Sequence, residues 1–241
     1  MESKALRWLI MGVATLVFIP CFFAVPIAGF VFGETFSVPT TSMAPTVLFG
    51  DTISTSKKVP EERPARAGDI VVFWFPQRAA KMHLEEQPPS QRACVDSETL
   101  NGRIKRFVMR VVAVGGQTVE MRDNQLYVDG EPVEQEVLSK EASGSHLYPQ
   151  TIRARETIDG RSYEVQFSNR SPDFGPVKVP DDEVFVMGDN RDYASDSRCW
   201  GTVARVLIRN LATRVVVSED PEGGIRWSRF GESLEPAPVS K

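Results

Sequence analysis

The chain has 241 residues, a formal charge of -4 and an ordinary charged fraction of 25%. That length can hold one large β-rich domain or two small ones around a sizeable core. The charge balance lacks the basic stripe of a nucleic-acid binder, so no nucleic-acid partner is expected.

The first feature in chain order is an apolar run at residues 8–33, which contains 26 positions without a charged residue. A membrane-spanning helix needs about 20 residues. Lys4 and Arg7 precede the run and Glu34 follows it. Because positive charge favours the cytoplasmic side, the N-terminus is predicted to lie in the cytoplasm and the rest of the chain on the export side.

We therefore predict a cytoplasmic segment at residues 1–7 and a single transmembrane helix at residues 8–29, with membrane lipid as a partner. A cleaved signal peptide is the alternative. We favour the anchor because the apolar run exceeds the about 7 to 15 residues of such peptides, and no convincing small-x-small cleavage site closes it.

The sequence contains three cysteines, Cys21, Cys94 and Cys199, whose spacing matches neither a zinc site nor a disulfide-dense scaffold. We expect no metal and no cofactor. A bridge between Cys94 and Cys199 would suit an export-side location, but we favour unpaired thiols and predict no disulfide.

Beyond the anchor, short apolar runs separated by Pro, Gly and Asp predict a mostly β, antiparallel fold. The predicted strands are Ile70–Phe75, Phe107–Val114, Thr118–Met121, Gln125–Val128, Val184–Met187, Val203–Ile208 and Thr213–Val217. Residues 30–130 and 181–234 are assigned to the core. Residues 77–103 and 131–180 are interpreted as excursions, the second a β subdomain with its own strand at Ser162–Phe167, and residues 235–241 as a disordered tail.

The segment Val38–Asp51 follows the apolar run closely and has the composition of a candidate active-site loop. It carries two prolines, four hydroxyl side chains and a closing Gly-Asp pair. Pro39 and Pro45 flank Ser42 and restrict the backbone there, as a nucleophile requires. On composition alone, however, the segment is an ordinary Ser/Thr/Pro loop.

The sequence Ser-Met-Ala-Pro-Thr at residues 42–46, followed by Gly50-Asp51, resembles the nucleophile box of the type I signal peptidases. Three further segments resemble later boxes of that family, in the family's order. They are Gly68–Phe73, Arg110–Val119, which runs on into Gln125–Val133, and Gly188–Gly201.

This resemblance implies an antiparallel β fold with a catalytic core and a variable β excursion. It implies a serine endopeptidase that removes signal peptides from exported precursors at the outer face of the cytoplasmic membrane. A non-catalytic homologue that binds exported chains is the alternative. A self-cleaving transcription regulator with a related Ser/Lys fold is disfavoured by the anchor and by the lack of a DNA-binding segment.

In the family, a neutral lysine activates the serine, and the hydroxyl two residues before the serine supports the oxyanion. The resemblance therefore makes Ser42 the nucleophile and Thr40 the oxyanion hydroxyl. Met109 stands at the position of the lysine base, and a thioether cannot accept the proton. Ala194 stands where the family has the serine that orients the lysine.

Lys105 is the candidate replacement base, since alternation along a strand puts it on the same face as Met109. Four residues span about 13 Å, so Lys105 reaches the site only if the strand slips or bulges. We expect residues 68–76, 107–128 and 184–188 to pair in one antiparallel system that brings Ser42, Met109 and Ala194 together. The charged residues of the last box are expected to form an ion-paired loop: Asp189, Asp192, Asp196 and Arg198.

Overall fold

The computed structural model describes residues 34–56, 63–86, 99, 101–102, 106–142, 150–168 and 173–238. The predicted anchor at residues 8–29 lies outside these residues, as do Lys105, Cys21 and Cys94. Within the described ranges, no helix combines the length and apolar character needed to cross a bilayer.

The described residues form short strands and a few helical turns. The strands are β1 (Glu34–Ser37), β2 (Asp51–Ser56), β3 (Ile70–Trp74), β4 (Arg106–Val114), β5 (Thr118–Arg122), β6 (Gln125–Val128), β7 (Glu131–Pro132), β8 (Glu134–Ala142), β9 (Gln150–Ile158), β10 (Arg161–Phe167), β11 (Phe174–Lys178), β12 (Glu183–Met187), β13 (Val203–Ala204), β14 (Ile208–Ser218) and β15 (Ala237–Pro238). The helices are α1 (Gln77–Glu86) and α2 (Ser197–Trp200), with 3-10 turns at Arg205–Leu207 and Trp227–Arg229. The predicted antiparallel, mostly β fold is confirmed.

The largest sheet is seven-stranded, in the order β1-β2-β14-β3-β4-β12-β13. Its neighbouring strands pair antiparallel. Side chains alternate between its two faces, as the two-residue period of a strand requires. In β12, Val184 and Val186 belong to one buried cluster, whereas Phe185 and Met187 belong to another. The sheet is therefore covered on both faces.

Four aromatic rings fill part of the first cluster, on the face that carries Met109. Phe75 stacks on Phe107 with the ring centroids 4.9 Å apart, and both rings contact Trp200, with centroids at 5.4 and 6.2 Å. Phe73 completes the group. Full burial of such a side chain stabilises the fold by about 1.5–3 kcal/mol, so this packing fixes β3, β4 and α2 against one another.

Two four-stranded sheets complete the fold, in the orders β15-β10-β9-β8 and β11-β5-β6-β7. The expected single system is right for β3, β4 and β12 but wrong for β5 and β6, which pair elsewhere. The turn after β4 explains the difference. At Gly115 an added Cβ would lie 2.0 Å from the Asp181 carbonyl oxygen, and Gly116 has φ of 88°. The chain thus turns sharply against Asp181 and leaves the large sheet.

Other predictions need correction. Residues 77–86, expected to be an irregular excursion, form α1. Its two buried side chains, Ala80 and Leu84, have the i,i+4 spacing of one helix face, but two residues give too weak a periodic pattern to predict the helix from sequence. The strand predicted at Val203–Ile208 is interrupted by a 3-10 turn in which Val206 is 77% exposed. Within the predicted tail, Ala237–Pro238 pairs with β10. The strand predicted at Ser162–Phe167 is confirmed by β10.

The prediction of no disulfide is wrong, since Cys199 is disulfide-bonded. Cys199 lies in α2 and is the single cysteine among the described residues. Sequence spacing carried no sign of the bond, because a bridge between distant cysteines depends on the tertiary fold. Disulfides persist in oxidising compartments, which agrees with the predicted export-side location.

Candidate active site

The Ser42 loop, residues 38–50, connects β1 to β2. Its ends are joined by two backbone bonds: the Val38 amide donates to the Asp51 carbonyl at 2.8 Å, and the Gly50 amide donates to the Val38 carbonyl at 3.1 Å. Inside the loop, the Val47 amide donates to the Met43 carbonyl at 2.9 Å. The side chains of Met43 and Val47 are fully buried, so an apolar anchor holds the loop from within.

The two predicted hydroxyls lie side by side. Thr40 Oγ1 and Ser42 Oγ are 3.0 Å apart, a hydrogen-bond distance. Thr40 is exposed and Ser42 is half-buried, so both hydroxyls lie near the surface while the neighbouring Met43 is buried. The proline on each side of Ser42, Pro39 and Pro45, restricts the backbone of the turn that presents them.

The last box contacts the loop through Asn190. Its backbone amide donates to the Ser42 carbonyl at 3.0 Å, and its side-chain amide donates to the Thr41 carbonyl at 3.1 Å. Asn190 also forms a parallel bridge with Gln166, just inside the end of β10. One asparagine therefore connects the Ser42 loop to the sheet that contains β10.

Gly188 is the point at which the Ser42 loop and the last box meet. A Cβ added there would lie 2.4 Å from the Ser42 carbonyl oxygen and 2.3 Å from the Ala194 Cβ. The β4–β12 register ends at the pair Met187 and Arg110, so Gly188 directly follows the last paired residue of β12. Only glycine allows an approach this close.

Beneath this junction, Arg110 and Asp189 form a buried ion pair. Arg110 Nε donates to Asp189 Oδ1 at 2.7 Å and Nη2 donates to Oδ2 at 2.6 Å, with both side chains 1% exposed. Arg110 also donates to the Gly68 carbonyl at 2.7 Å and lies over the Tyr163 ring. Burial alone would lower the pKa of Arg110, but attraction to Asp189 outweighs it and the pKa is raised.

A second buried pair joins the excursion to the last box. Arg191 donates two bonds to Glu156, at 2.7 and 2.5 Å, and the Tyr163 hydroxyl donates to Glu156 at 3.0 Å. Burial raises the pKa of Tyr163, and the Glu156 carboxylate raises it further. The pKa of Arg191 is raised because attraction to Glu156 exceeds the opposing effect of burial. Glu156 and Tyr163 were not predicted from the sequence, because they lie far along the chain from Arg191 and no local pattern connects them to it.

The expected ion-paired loop is confirmed for two of its four members, Asp196 and Arg198. Asp196 accepts from Arg198 at 2.8 and 2.7 Å and from the Gly188 amide at 3.0 Å. Asp189 pairs with Arg110 rather than within the box. Asp192 accepts from the Ser168 backbone amide at 2.5 Å. In the described part of the chain, no group of His, Cys, Asp and Glu side chains could hold a metal ion.

A family model described as "Signal peptidase, peptidase S26" matches residues 10–217. The chain belongs to the peptidase S26 family. The fold and the four boxes fit this family assignment.

Several S26 relatives are bacterial signal peptidases. The signal peptidase I of Leptolyngbya laminosa is 30% identical over 203 residues, which cover 83% of this chain and 72% of that protein. A probable signal peptidase I-1 of Synechocystis sp. is 29% identical over 194 residues, covering 80% and 74%. Signal peptidase I S of Bacillus subtilis is 39% identical over 103 residues, 43% of this chain, and the match spans 47% of its length. A crystal structure of a signal peptidase I from Enterococcus faecalis V583 aligns with a TM-score of 0.32 at 21% identity, covering 63% of this chain and 98% of that one.

Met109, which the resemblance aligns with the lysine base, has apolar surroundings. Met109 is 2% exposed and belongs to the same buried cluster as Met43. The lysines among the described residues are Lys81, Lys140 and Lys178, all of them exposed and none on the Ser42 loop, β4 or the last box. The Met109 thioether is thus buried in an apolar cluster.

Proposed function

We propose that this S26 protein is a signal peptidase I-type serine endopeptidase that acts on signal-peptide-bearing precursors, with Ser42 as nucleophile. The main observation that supports this proposal is the distance of 3.0 Å between the Ser42 and Thr40 hydroxyls on a loop that Asn190 holds in place. In the proposed reaction the Ser42 oxygen attacks the scissile carbonyl and gives its proton to a base; the C–N bond then breaks, and the amine leaves with that proton. The Ser42 amide and the Thr40 hydroxyl donate to the oxyanion.

The proposed substrate follows from position as well as from the family. Ser42 lies nine residues beyond the last residue of the apolar run, Gly33. If residues 8–29 anchor the chain as we propose, Ser42 is held close to the outer membrane face, where the cleavage site of a translocated precursor emerges. Confinement of both reactants to one surface raises their effective concentration.

Cleavage of a signal-bearing precursor by the full chain in proteoliposomes tests this function. We expect slow cleavage after a small residue, which Ser42→Ala abolishes and which Ser37→Ala, a change of an exposed serine outside the loop, leaves intact. Thr40→Val should lower the rate by about 10²- to 10³-fold, whereas Thr40→Ser should retain it. Activity that survives Ser42→Ala would refute the assignment.

Lys105 is our proposed base, although a direct approach along β4 is long. The β3–β4 register runs without a bulge from Ile70↔Arg110 to Trp74↔Arg106. Phe107, two residues before Met109 on β4, packs in the aromatic group. Between Arg106 and Arg110, β4 thus has no bulge that would shorten the about 13 Å that four strand residues span. Lys105 can therefore act as the base only if residues before Arg106 bring it to Ser42 by another route.

A second candidate function is a non-catalytic homologue that binds exported chains without cutting them. The burial of Met109 in an apolar cluster and the methyl group of Ala194 at the orienting position favour it. In that case the wild-type chain should bind the precursor in a pull-down from proteoliposomes, and prolonged incubation should yield no Ser42-dependent product.

The proposed location is tested separately. Protease added to spheroplasts should digest the β domain, because the single anchor would leave it on the export side. A cytoplasmic protein should remain intact as the control. Full protection of the domain in sealed spheroplasts, with digestion after lysis, would refute this topology.

A further inference from the structure

The C-terminal loop, residues 219–232, follows β14 and lies beyond the segment that the family model matches. Its large aromatic side chains do not hold it against the domain, since Trp227 is 77% exposed and Phe230 is 60% exposed. Its arginines are oriented differently. Arg226 and Arg229 both reach the end of the Ser42 loop.

The two arginines converge on one buried carboxylate. Asp51, the first residue of β2, is 0% exposed. Arg229 Nη2 donates to Asp51 Oδ2 at 2.7 Å, and Arg226 Nη1 lies 3.6 Å from Oδ1. The Leu48 amide donates to the same carboxylate at 2.8 Å. A buried carboxylate without hydrogen-bond partners is energetically costly. The Asp51 carboxylate therefore holds its two donors, Arg229 and the Leu48 amide, in fixed positions beside it.

The same guanidinium groups also bind backbone carbonyls of the Ser42 loop. Arg229 Nη2 donates to the Thr46 carbonyl at 2.9 Å, and Arg226 Nη2 donates to the Phe49 carbonyl at 3.0 Å. Asn190 holds the first half of the loop at Thr41 and Ser42, so the arginines hold the half that Asn190 does not reach. The loop is restrained at both halves.

We propose that Arg229, supported by Arg226, is a positioning residue for Ser42. The Val47 amide, which bonds to the Met43 carbonyl, closes the turn between Thr46 and Ser42. Movement of the Thr46 carbonyl therefore rotates the turn that presents the Ser42 hydroxyl. The chemical consequence rests on the proposed role of Ser42 as nucleophile, where a misplacement of about 1 Å can cost a factor of about 10² in rate.

Hydrogen exchange of the full chain in detergent tests the restraint without any need for catalysis. Arg229→Leu should accelerate exchange of the Val47 and Leu48 amides by at least about tenfold, while amides of β4 are unchanged. Arg229→Lys, which keeps a cation near Asp51, should restore part of the protection. Arg209→Leu, a change of an exposed arginine on β14, is the matched control and should alter neither segment.

Unchanged exchange at Val47 and Leu48 would overturn the proposal, as would equal acceleration in β4. If Arg229→Leu does not fold, Arg226→Leu and Arg229→Lys decide, each with a smaller expected increase in exchange that is confined to the loop.

Labelling by a fluorophosphonate, in which the Ser42 oxygen attacks phosphorus and fluoride leaves, separates the restraint of the loop from the role of Ser42 as nucleophile. Arg229→Leu should lower the maximal labelling rate with little change in half-saturating concentration. A wild-type Ser42 that resists labelling counts against the proposed nucleophile, whereas the exchange result still decides the restraint.

Discussion

The backbone amide of Asn190 donates to the carbonyl oxygen of Ser42 at 3.0 Å. This bond joins a loop near the start of the described chain to a box that lies 148 residues later in the sequence. Its length depends on Gly188, whose missing side chain lets the Ser42 carbonyl approach. The position of Ser42 is therefore set by the last box as well as by its own loop.

Gly188→Ala should displace the Ser42 loop. The new methyl group would lie within 2.4 Å of the Ser42 carbonyl oxygen and 2.3 Å of the Ala194 Cβ, so one of them must move. We expect destabilisation by about 1–3 kcal/mol from overpacking and faster hydrogen exchange of the Asn190 amide.

Gly160→Ala is the matched control, because an added Cβ there has no atom within 4 Å. Its φ of 69° makes the change cost about 1 kcal/mol, with no effect on the loop. Equal effects of both substitutions on the Asn190 amide would contradict the proposed steric role of Gly188.

Asp189→Asn should be strongly destabilising. The substitution keeps the shape but leaves the buried Arg110 guanidinium without its counter-charge, for which removal of one partner typically costs about 3–5 kcal/mol. Glu136→Gln is the control, since its pair with Arg155 is exposed on both sides and worth about 0–1 kcal/mol. Denaturant unfolding in detergent measures both, and a small shift for Asp189→Asn would show that the site relaxes or hydrates.

The sequence predicted strands such as β10, whose apolar residues alternate, but missed β9. In β9, Ile152, Ala154 and Ile158 are buried at two-residue spacing, but Glu156 interrupts the pattern. Its carboxylate is buried because it binds Arg191, a partner 35 residues away. A local pattern cannot contain such a partner, so the strand was missed.

The site shows the same division. The family resemblance singled out Met109, and the two-residue period predicted that it shares a face with Lys105. The contacts of Arg226 and Arg229 with Asp51 could not be predicted, because the two arginines lie about 180 residues away in sequence and outside the boxes. Long-range ion pairs depend on the tertiary fold rather than on spacing.

The stability of the domain should fall below about pH 4 partly because of Asp69. Burial alone would raise the pKa of this carboxyl, but hydrogen bonds from Arg63, the Arg66 amide and Arg161 together lower it. A lowered folded pKa means that the contribution is complete above the unfolded value, about 3.9, and is lost as pH falls through the folded value. The stability difference between wild type and Asp69→Asn should therefore shrink below about pH 4.

Unfolding midpoints measured from neutral pH down to about pH 3 check this expectation. Asp159→Asn is the control, because Asp159 is exposed in a turn whose positive φ asparagine also tolerates. A stability difference for Asp69→Asn that grows on acidification would reverse the sign of the argument.

Lys105→Ala tests the proposed base directly. If Lys105 accepts the Ser42 proton, its removal should lower precursor cleavage by at least about 10²-fold, with an unchanged unfolding midpoint. Lys81→Ala, which removes an exposed lysine of α1, is the control. Cleavage that is present in wild type and survives Lys105→Ala excludes Lys105 as the base.

The double substitution Met109→Lys with Ala194→Ser should raise precursor cleavage. A lysine at position 109 would lie in an apolar cluster, where burial lowers its pKa and favours the neutral amine that a base requires. The serine at 194 would orient that amine. General-base catalysis is typically worth a factor of about 10² to 10⁴, and the two changes should act together, so the rate increase of the double variant should exceed the product of the two single increases.

Initial cleavage rates of wild type, the two single variants and the double variant on one precursor form the double-mutant cycle, with Ser42→Ala in the double variant as the control for the nucleophile. If the double variant folds and binds precursor but cleaves no faster than wild type, then Met109 does not occupy the base position, and a base elsewhere in the chain or in a partner must be sought.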